Sequence, residues 1–237
     1  MSMREEQRPA SIENIARSVI DLETCDEPFV SLLSNRSLLV DDSRSRNAIR
    51  SSFYCCVRAG VYERLEHARS LLPARMTFII KEAYRPPFHQ ERLYAVAKAA
   101  FASRYPGIGE DELESIVWKY VAPVWASGHP TGGAVDLTLA LDGNEVDMGS
   151  AFNADPDMSE GRTFFYSESI DEEHVERRGI LCAALEAAGF VNYPSKWWHW
   201  SYGDQYWAYI KGFPAMYDRK DETEVSATLV EPERIEA

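Results

Sequence analysis

The amino-acid sequence predicts an α+β fold in a single domain, with a small antiparallel sheet flanked by helices. Two observations lead to this prediction. Short apolar or alternating stretches, typical of strands, are interspersed with longer stretches that carry apolar residues at helical spacing. A tight turn also joins two of the strand-like stretches, so that they pair as an antiparallel hairpin. The chain has 237 residues, of which 45% are hydrophobic, and it can therefore bury a substantial core.

The first half of the chain predicts two helices with a strand between them. Residues 60–72 carry apolar side chains at helical spacing and are followed by Pro73, which predicts a helix that ends there. Residues 76–80 form a short apolar run, which predicts a buried strand. Residues 90–103 have the length and the alanine content of a second helix.

The second half predicts a hairpin and a third helix. Residues 134–141 alternate between apolar and other side chains, as in a strand with one face in the core. The sequence Asp-Gly-Asn at 142–144 predicts a turn into a partner strand near residues 146–149. Residues 175–188 predict a helix, and residues 169–172 match a capping box before it.

The organisation of the chain follows from its composition. We find no linker between residues 11 and 217, and we predict one domain over 11–217. Residues 1–10 are predicted to be loose, and residues 218–237 to be a polar tail that packs poorly. There is no apolar stretch of the length of a signal peptide or a membrane span, so we expect a cytoplasmic protein. With 25 Lys+Arg against 38 Asp+Glu, the net charge of −13 argues against nucleic acid as a partner.

Three residues form a candidate metal site, namely His129, Asp136 and His199. His129 and Asp136 are separated by a Gly-Gly pair, so a loop that carries His129 can turn into the strand that carries Asp136. Aromatic residues alternate around His199 as in a strand, and pairing with a neighbouring strand could bring His199 beside Asp136. Taken singly, each histidine would more often be a packed side chain than a ligand. Together they match a catalytic zinc with three ligands and one open position.

Four motifs occur in order along the chain. They are Lys-Glu-Ala-Tyr-Arg-Pro at 81–86, Ser-x-His-x6-Asp at 127–136, Asp-Met-Gly-Ser-x-Phe at 147–152, and Gly-Phe through Trp-Trp-His-Trp to Gly-Asp at 189–204. Over roughly residues 30 to 210, the sequence resembles the zinc D-alanyl-D-alanine dipeptidases of the VanX type. The resemblance implies one zinc per chain on His129, Asp136 and His199.

The resemblance also implies roles for residues around the metal. Arg85 would hydrogen-bond the scissile carbonyl group of the substrate and stabilise the oxyanion. Ser127, which opens the second motif, is a candidate for substrate binding. Taken by itself, Arg85 would more often be a structural or surface arginine.

Two positions depart from the pattern of this family. The family has a catalytic glutamate three residues before its last histidine, where this chain has Lys196. That glutamate moves a proton from the zinc-bound water to the leaving amine, and loss of a general base typically lowers the rate about 10²- to 10⁴-fold. Asn153 stands where the family has an aspartate that receives the substrate ammonium, although Asp155 could replace its charge. Two alternatives stay open, a misalignment by one or two residues and a lysine introduced to inactivate the site.

We therefore expect a zinc-dependent hydrolase that acts on a small dipeptide- or amide-like metabolite. Two negative charges are lost and Lys196 adds a positive one, which favours an anionic ligand. Lys196 would act as a base when neutral or as a proton donor when charged. Two alternatives remain. One is a lyase, cyclase or transferase on the same scaffold that uses Lys196, and the other is a metal-dependent small-molecule-binding protein. The sequence does not identify the substrate or the oligomeric state.

Overall fold

The computed structural model describes residues 14–15, 18, 20–43, 45 and 47–232. The strands are β1 (Phe29–Ser31), β2 (Leu39–Val40), β3 (Cys56–Arg58), β4 (Met76–Glu82), β5 (Ala134–Leu141), β6 (Asn144–Glu145), β7 (Val191–Asn192), β8 (His199–Ser201) and β9 (Leu229–Val230). The helices are α1 (Ala59–Ser70), α2 (Pro87–Arg104), α3 (Glu110–Trp118), α4 (Glu172–Ala187), α5 (Gln205–Lys211) and α6 (Glu222–Thr228).

The larger sheet has the strand order β2-β4-β5-β8-β7, and β6 pairs with β5. Its central strand β5 pairs antiparallel with β4 on one side and with β8 on the other. Val135, Leu137 and Leu139 of β5 are fully buried, because this face of the strand points into the core. The α+β class and the antiparallel centre of the sheet are thus confirmed.

The edge strand β2 departs from the predicted antiparallel arrangement. It pairs parallel with β4, with Leu39 opposite Ile79. A parallel pair needs a crossover connection, which β3 and α1 supply here between β2 and β4. The sheet is therefore mixed, although its site-bearing strands are antiparallel.

The structure also contains a second, smaller sheet that the sequence did not predict. One of its strands, β9, lies near the end of the described residues. The order of this sheet is β3-β1-β9, with β9 parallel to β1. Before β9, helix α6 begins with a capping box between Asp221 and Glu224, and it buries Val225 completely. The tail predicted for 218–237 is thus folded rather than poorly packed over its described part, residues 218–232, because the capping box and one buried valine hold this polar segment against the domain. Residues 1–10 and 233–237 lie outside the described residues.

The predicted helices and hairpin agree with the structure except at their ends. Helix α2 begins at Pro87, since proline is favoured in the first turn. Helix α4 begins at Glu172 after Asp171, so the capping box predicted at 169–172 is wrong. The hairpin turn has two residues with positive φ, Asp142 (51°) and Gly143 (79°), as in a type I′ turn, and β6 therefore starts earlier than predicted.

Helix α3 was missed, although the sequence contains a signal for it. Three acidic residues occupy its first turn after Gly109, and Leu113 and Val117 are buried at a spacing of one helical turn. Buried apolar side chains from both sheets, α1 and α4 form one continuous core. Within the described part of the chain, every helix lacks either the length or the apolar composition needed to cross a bilayer.

Candidate active site

The three candidate metal ligands converge at the junction of β5 and β8. Asp136 on β5 lies directly opposite His199 on β8 in the antiparallel register. His129 belongs to a short 3₁₀ turn just before β5, and Gly132 ends that turn with a φ of 74°. One ligand atom from each of the three side chains lies within 4.8 Å of the others. The predicted set of ligands is therefore assembled by one loop and two neighbouring strands.

Hydrogen bonds orient the two histidines toward Asp136. His129 Nδ1 lies 2.6 Å from the carbonyl oxygen of Ala83. A carbonyl only accepts, so Nδ1 carries a proton, and Nε2 is the ring nitrogen that faces Asp136 Oδ1, at 3.6 Å. His199 Nδ1 lies 2.7 Å from the same oxygen. A ligand histidine fixed by a backbone carbonyl is the usual arrangement around protein-bound metals, and the donor set fits zinc.

The pKa shifts of Asp136 and His199 also suit a metal. Burial raises the pKa of Asp136, but His129 and His199 outweigh it and hold that pKa below its ordinary range. Burial lowers the pKa of His199 more than Asp136 raises it. An ionised Asp136 and a neutral His199 are the forms that bind a metal ion.

The three residues open into a cavity of about 690 Å³, which all seven predicted site residues line. Arg85 enters it from the end of β4, and its backbone N–H donates to the carbonyl oxygen of His129 at 3.3 Å. Its Nε donates to Glu82 Oε1 at 2.7 Å, and its Nη2 pairs with the same carboxylate. Its Nη1 donates to Gln90 Oε1, also at 2.7 Å. The guanidinium group is therefore held in place before any ligand binds.

Lys196 lies on the same turn as His199. The Lys196 N–H donates to Tyr193 O at 2.9 Å, and the His199 N–H donates to Lys196 O at 3.0 Å. Lys196 Nζ lies 3.4 Å from the carbonyl oxygen of Tyr120. Burial lowers the pKa of the Lys196 ammonium, Arg85 lowers it further, and Asp136 and Glu82 oppose this shift. The amine therefore loses its proton more readily than an ordinary lysine does.

The remaining predicted residues occupy other walls of the cavity. Ser127 is buried, whereas Asn153 is exposed and has a φ of 59°, in the left-handed region that asparagine and aspartate tolerate best. Asp155 Oδ1 accepts the backbone N–H groups of Asp157 (2.9 Å) and Met158 (3.0 Å). Asp155 thus caps a turn with one of its two oxygens.

Sequence reasoning missed three neighbours of these residues, Glu82, Gln90 and Tyr120. Glu82 could have been found, because it stands three residues before Arg85 within the first motif. Gln90 and Tyr120 carried no signal in the sequence. His89 also lines the cavity, and its Nδ1 lies 2.9 Å from Asn47 Oδ1.

The sequence matches the family model described as D-ala-D-ala dipeptidase over residues 39–219. The chain belongs to the D-Ala-D-Ala dipeptidase family. It is 30% identical over 179 residues to a D-alanyl-D-alanine dipeptidase from Synechocystis, covering 65% of this chain and 71% of that protein. It is 37% identical over 105 residues to one from Enterococcus faecium, covering 44% and 48%.

As a member of the D-Ala-D-Ala dipeptidase family, the chain is a peptidase-type enzyme, as its motifs predicted. Among solved structures, a mutant of the vancomycin-resistance D,D-pentapeptidase VanY from a VanB-type cassette, in complex with Zn(II), matches with a TM-score of 0.37. That match has 16% identity and covers 68% of this chain and 82% of the VanY chain.

Proposed function

We propose that the chain is a zinc-dependent hydrolase of a small dipeptide- or amide-like metabolite, with one zinc on His129, Asp136 and His199. The observation that carries this proposal is the convergence of the three ligand atoms within 4.8 Å at the wall of a cavity. A bound zinc supplies Lewis-acid polarisation of a carbonyl and lowers the pKa of a water to about 7.

Arg85 orients the substrate. Its guanidinium is fixed by Glu82 and Gln90 and still has N–H groups to donate to the carbonyl oxygen of the scissile bond. Negative charge develops on that oxygen during hydrolysis, so a donor fixed in advance stabilises the transition state more than the substrate.

Lys196 moves the proton in place of the glutamate found in the family. Because the pKa of Lys196 is lowered, its Nζ can be neutral and accept a proton. In the charged form, the same Nζ donates that proton to the amine that leaves. We expect Lys196 to be a weaker general base than glutamate, because a lysine accepts a proton only in its neutral form, whereas a glutamate is ionised at neutral pH.

We further propose that the substrate bears an anionic group where a dipeptide has its ammonium. Asn153 offers no carboxylate, and Asp155 uses one oxygen to cap its turn. Lys196 has a carbonyl oxygen within hydrogen-bond distance but no carboxylate in an ion pair among the described residues. A partly buried ammonium without a counter-ion is costly, and a ligand carboxylate would remove that cost. N-carboxyacyl amino acids are the compounds with this charge.

The test compares N-succinyl-alanine with Ala-Ala and D-Ala-D-Ala on the zinc-loaded protein. Release of free amino acids is measured, together with the rise in melting temperature that ligand binding causes. We expect the largest rise with N-succinyl-alanine and a smaller one in Lys196→Ala. An equal or larger rise with Ala-Ala would mean that a carboxylate such as Asp155 has kept the ammonium site, and the anionic preference would be abandoned.

One observation favours a second candidate, a lyase or transferase that uses Lys196 as a nucleophile. A partly buried amine with a lowered pKa is suited to form a Schiff base with a carbonyl substrate. Treatment with borohydride and small keto acids, followed by mass spectrometry, would detect a covalent adduct that is absent in Lys196→Ala. With no adduct, hydrolysis remains the proposal.

A further inference from the structure

Two buried polar side chains accept hydrogen bonds from Arg85 on different sides of its guanidinium group. Glu82 and Gln90 are only 3% and 1% exposed. The Glu82 carboxylate binds the Nε and Nη2 groups of the guanidinium, and Gln90 Oε1 accepts a hydrogen bond from Nη1. Gln90 also donates from Nε2 to the carbonyl oxygen of Ala122 at 2.6 Å. Both ends of the Gln90 amide are therefore used.

The segment that Gln90 holds also reaches Lys196. Ala122 lies two residues after Tyr120, whose carbonyl oxygen is 3.4 Å from Lys196 Nζ. Arg85 and Lys196 are thus linked across the cavity through Gln90 and residues 120–122. Glu82 and Gln90 come from different elements, β4 and α2, so the guanidinium is fixed against rotation.

We propose that Gln90 is a positioning residue, which aims the remaining N–H groups of Arg85 at the substrate carbonyl and sets the spacing of Arg85 from Lys196. This inference rests on the proposed role of Arg85. A guanidinium has five N–H donors, and the contacts to Glu82 and Gln90 use three of them. One N–H on each terminal nitrogen remains for the oxygen that becomes negative.

The orientation of the Gln90 amide follows from its partners. Arg85 only donates, so Oε1 faces it, and the carbonyl of Ala122 only accepts, so Nε2 faces that group. Gln90→Glu keeps the size and can still accept from Arg85, but it turns a second acceptor toward Ala122. Gln90→Met keeps the length and removes both hydrogen bonds.

The test is a double-mutant cycle of Gln90→Met with Arg85→Ala on the zinc-loaded protein. Affinity for a phosphinate analogue of N-succinyl-alanine, in which the phosphinate replaces the scissile amide, is measured by calorimetry, and kcat and KM are measured on any substrate that is cleaved. Alone, Gln90→Met should weaken analogue binding and lower kcat about tenfold, below the roughly hundredfold loss that a 1 Å misplacement can cause. In the Arg85→Ala background, the same change should have no further effect.

Controls separate positioning from folding. Zinc content and melting temperature should be retained, and Gln205→Met, which alters a glutamine outside the cavity lining, should leave analogue binding unchanged. If Gln90→Met does not fold, Gln90→Leu, which also removes both hydrogen bonds, takes its place in the cycle with the same expected result. Equal losses in both backgrounds would overturn the proposal for Gln90. An analogue that does not bind the native zinc protein would instead overturn the proposed function.

Discussion

Replacing Lys196 with glutamate tests the central feature of the site. The Lys196 backbone is fixed by hydrogen bonds to Tyr193 and His199, so a new side chain at this position starts from the same point on the cavity wall. Lys196→Glu supplies a carboxylate base and removes a cation from the cavity wall. A general base contributes about 10²- to 10⁴-fold in rate, and we expect hydrolysis of D-Ala-D-Ala to rise at least about a hundredfold.

Adding Asn153→Asp should raise kcat/KM further for substrates with a free amine. The backbone of Asn153, with a φ of 59°, suits aspartate as well, so this change introduces no strain. The assay follows free D-alanine release by the single and double variants at fixed zinc. Lys119→Glu, an equal charge change elsewhere on the cavity wall, is the matched control and should have little effect. Should the native protein already cleave D-Ala-D-Ala as fast as the double variant, the reasoning from Lys196 and Asn153 is refuted.

Three further outcomes can be measured directly. The purified protein should contain about one zinc per chain by metal analysis, and His129→Ala or His199→Ala should release it, whereas retention in both variants would rule out this site. Lys196→Met should stabilise the metal-free fold at neutral pH, because the lowered pKa of Lys196 means that the unfolded chain binds more protons. This gain in the free energy of unfolding should shrink as the pH rises toward the ordinary lysine pKa of 10.5. It is measured by denaturant titration at several pH values, and a gain that does not change with pH would contradict the prediction. Asp221→Ala should lower the free energy of unfolding by about 1 kcal/mol, because it removes the N-cap of α6. An unchanged free energy of unfolding would mean that this cap does not contribute to stability.

Local patterns in the sequence were sufficient to predict the strands and helices that carry the site. The alternation around Asp136 predicted strand β5 and the face on which this carboxylate lies. Spacing and strand periodicity also predicted that His199 lies beside Asp136, and the register of β5 and β8 confirms it. Helices α1 and α2 were found because their length and apolar or alanine content are properties of one continuous segment.

Long-range contacts decided the rest. The pairing of β9 with β1 joins segments near opposite ends of the chain, and two-residue strands such as β9 have no periodicity to detect. The hydrogen bonds around Arg85 and Lys196 could not be predicted from the sequence either. Gln90 donates to the carbonyl oxygen of Ala122, 32 positions later, and Lys196 lies within hydrogen-bond distance of the carbonyl oxygen of Tyr120, 76 positions earlier. Sequence patterns thus determined which residues can bind a metal and on which strand face they lie. Only the packing of distant segments determined how the arginine and the lysine are held against that centre, because hydrogen bonds between loops depend on three-dimensional proximity.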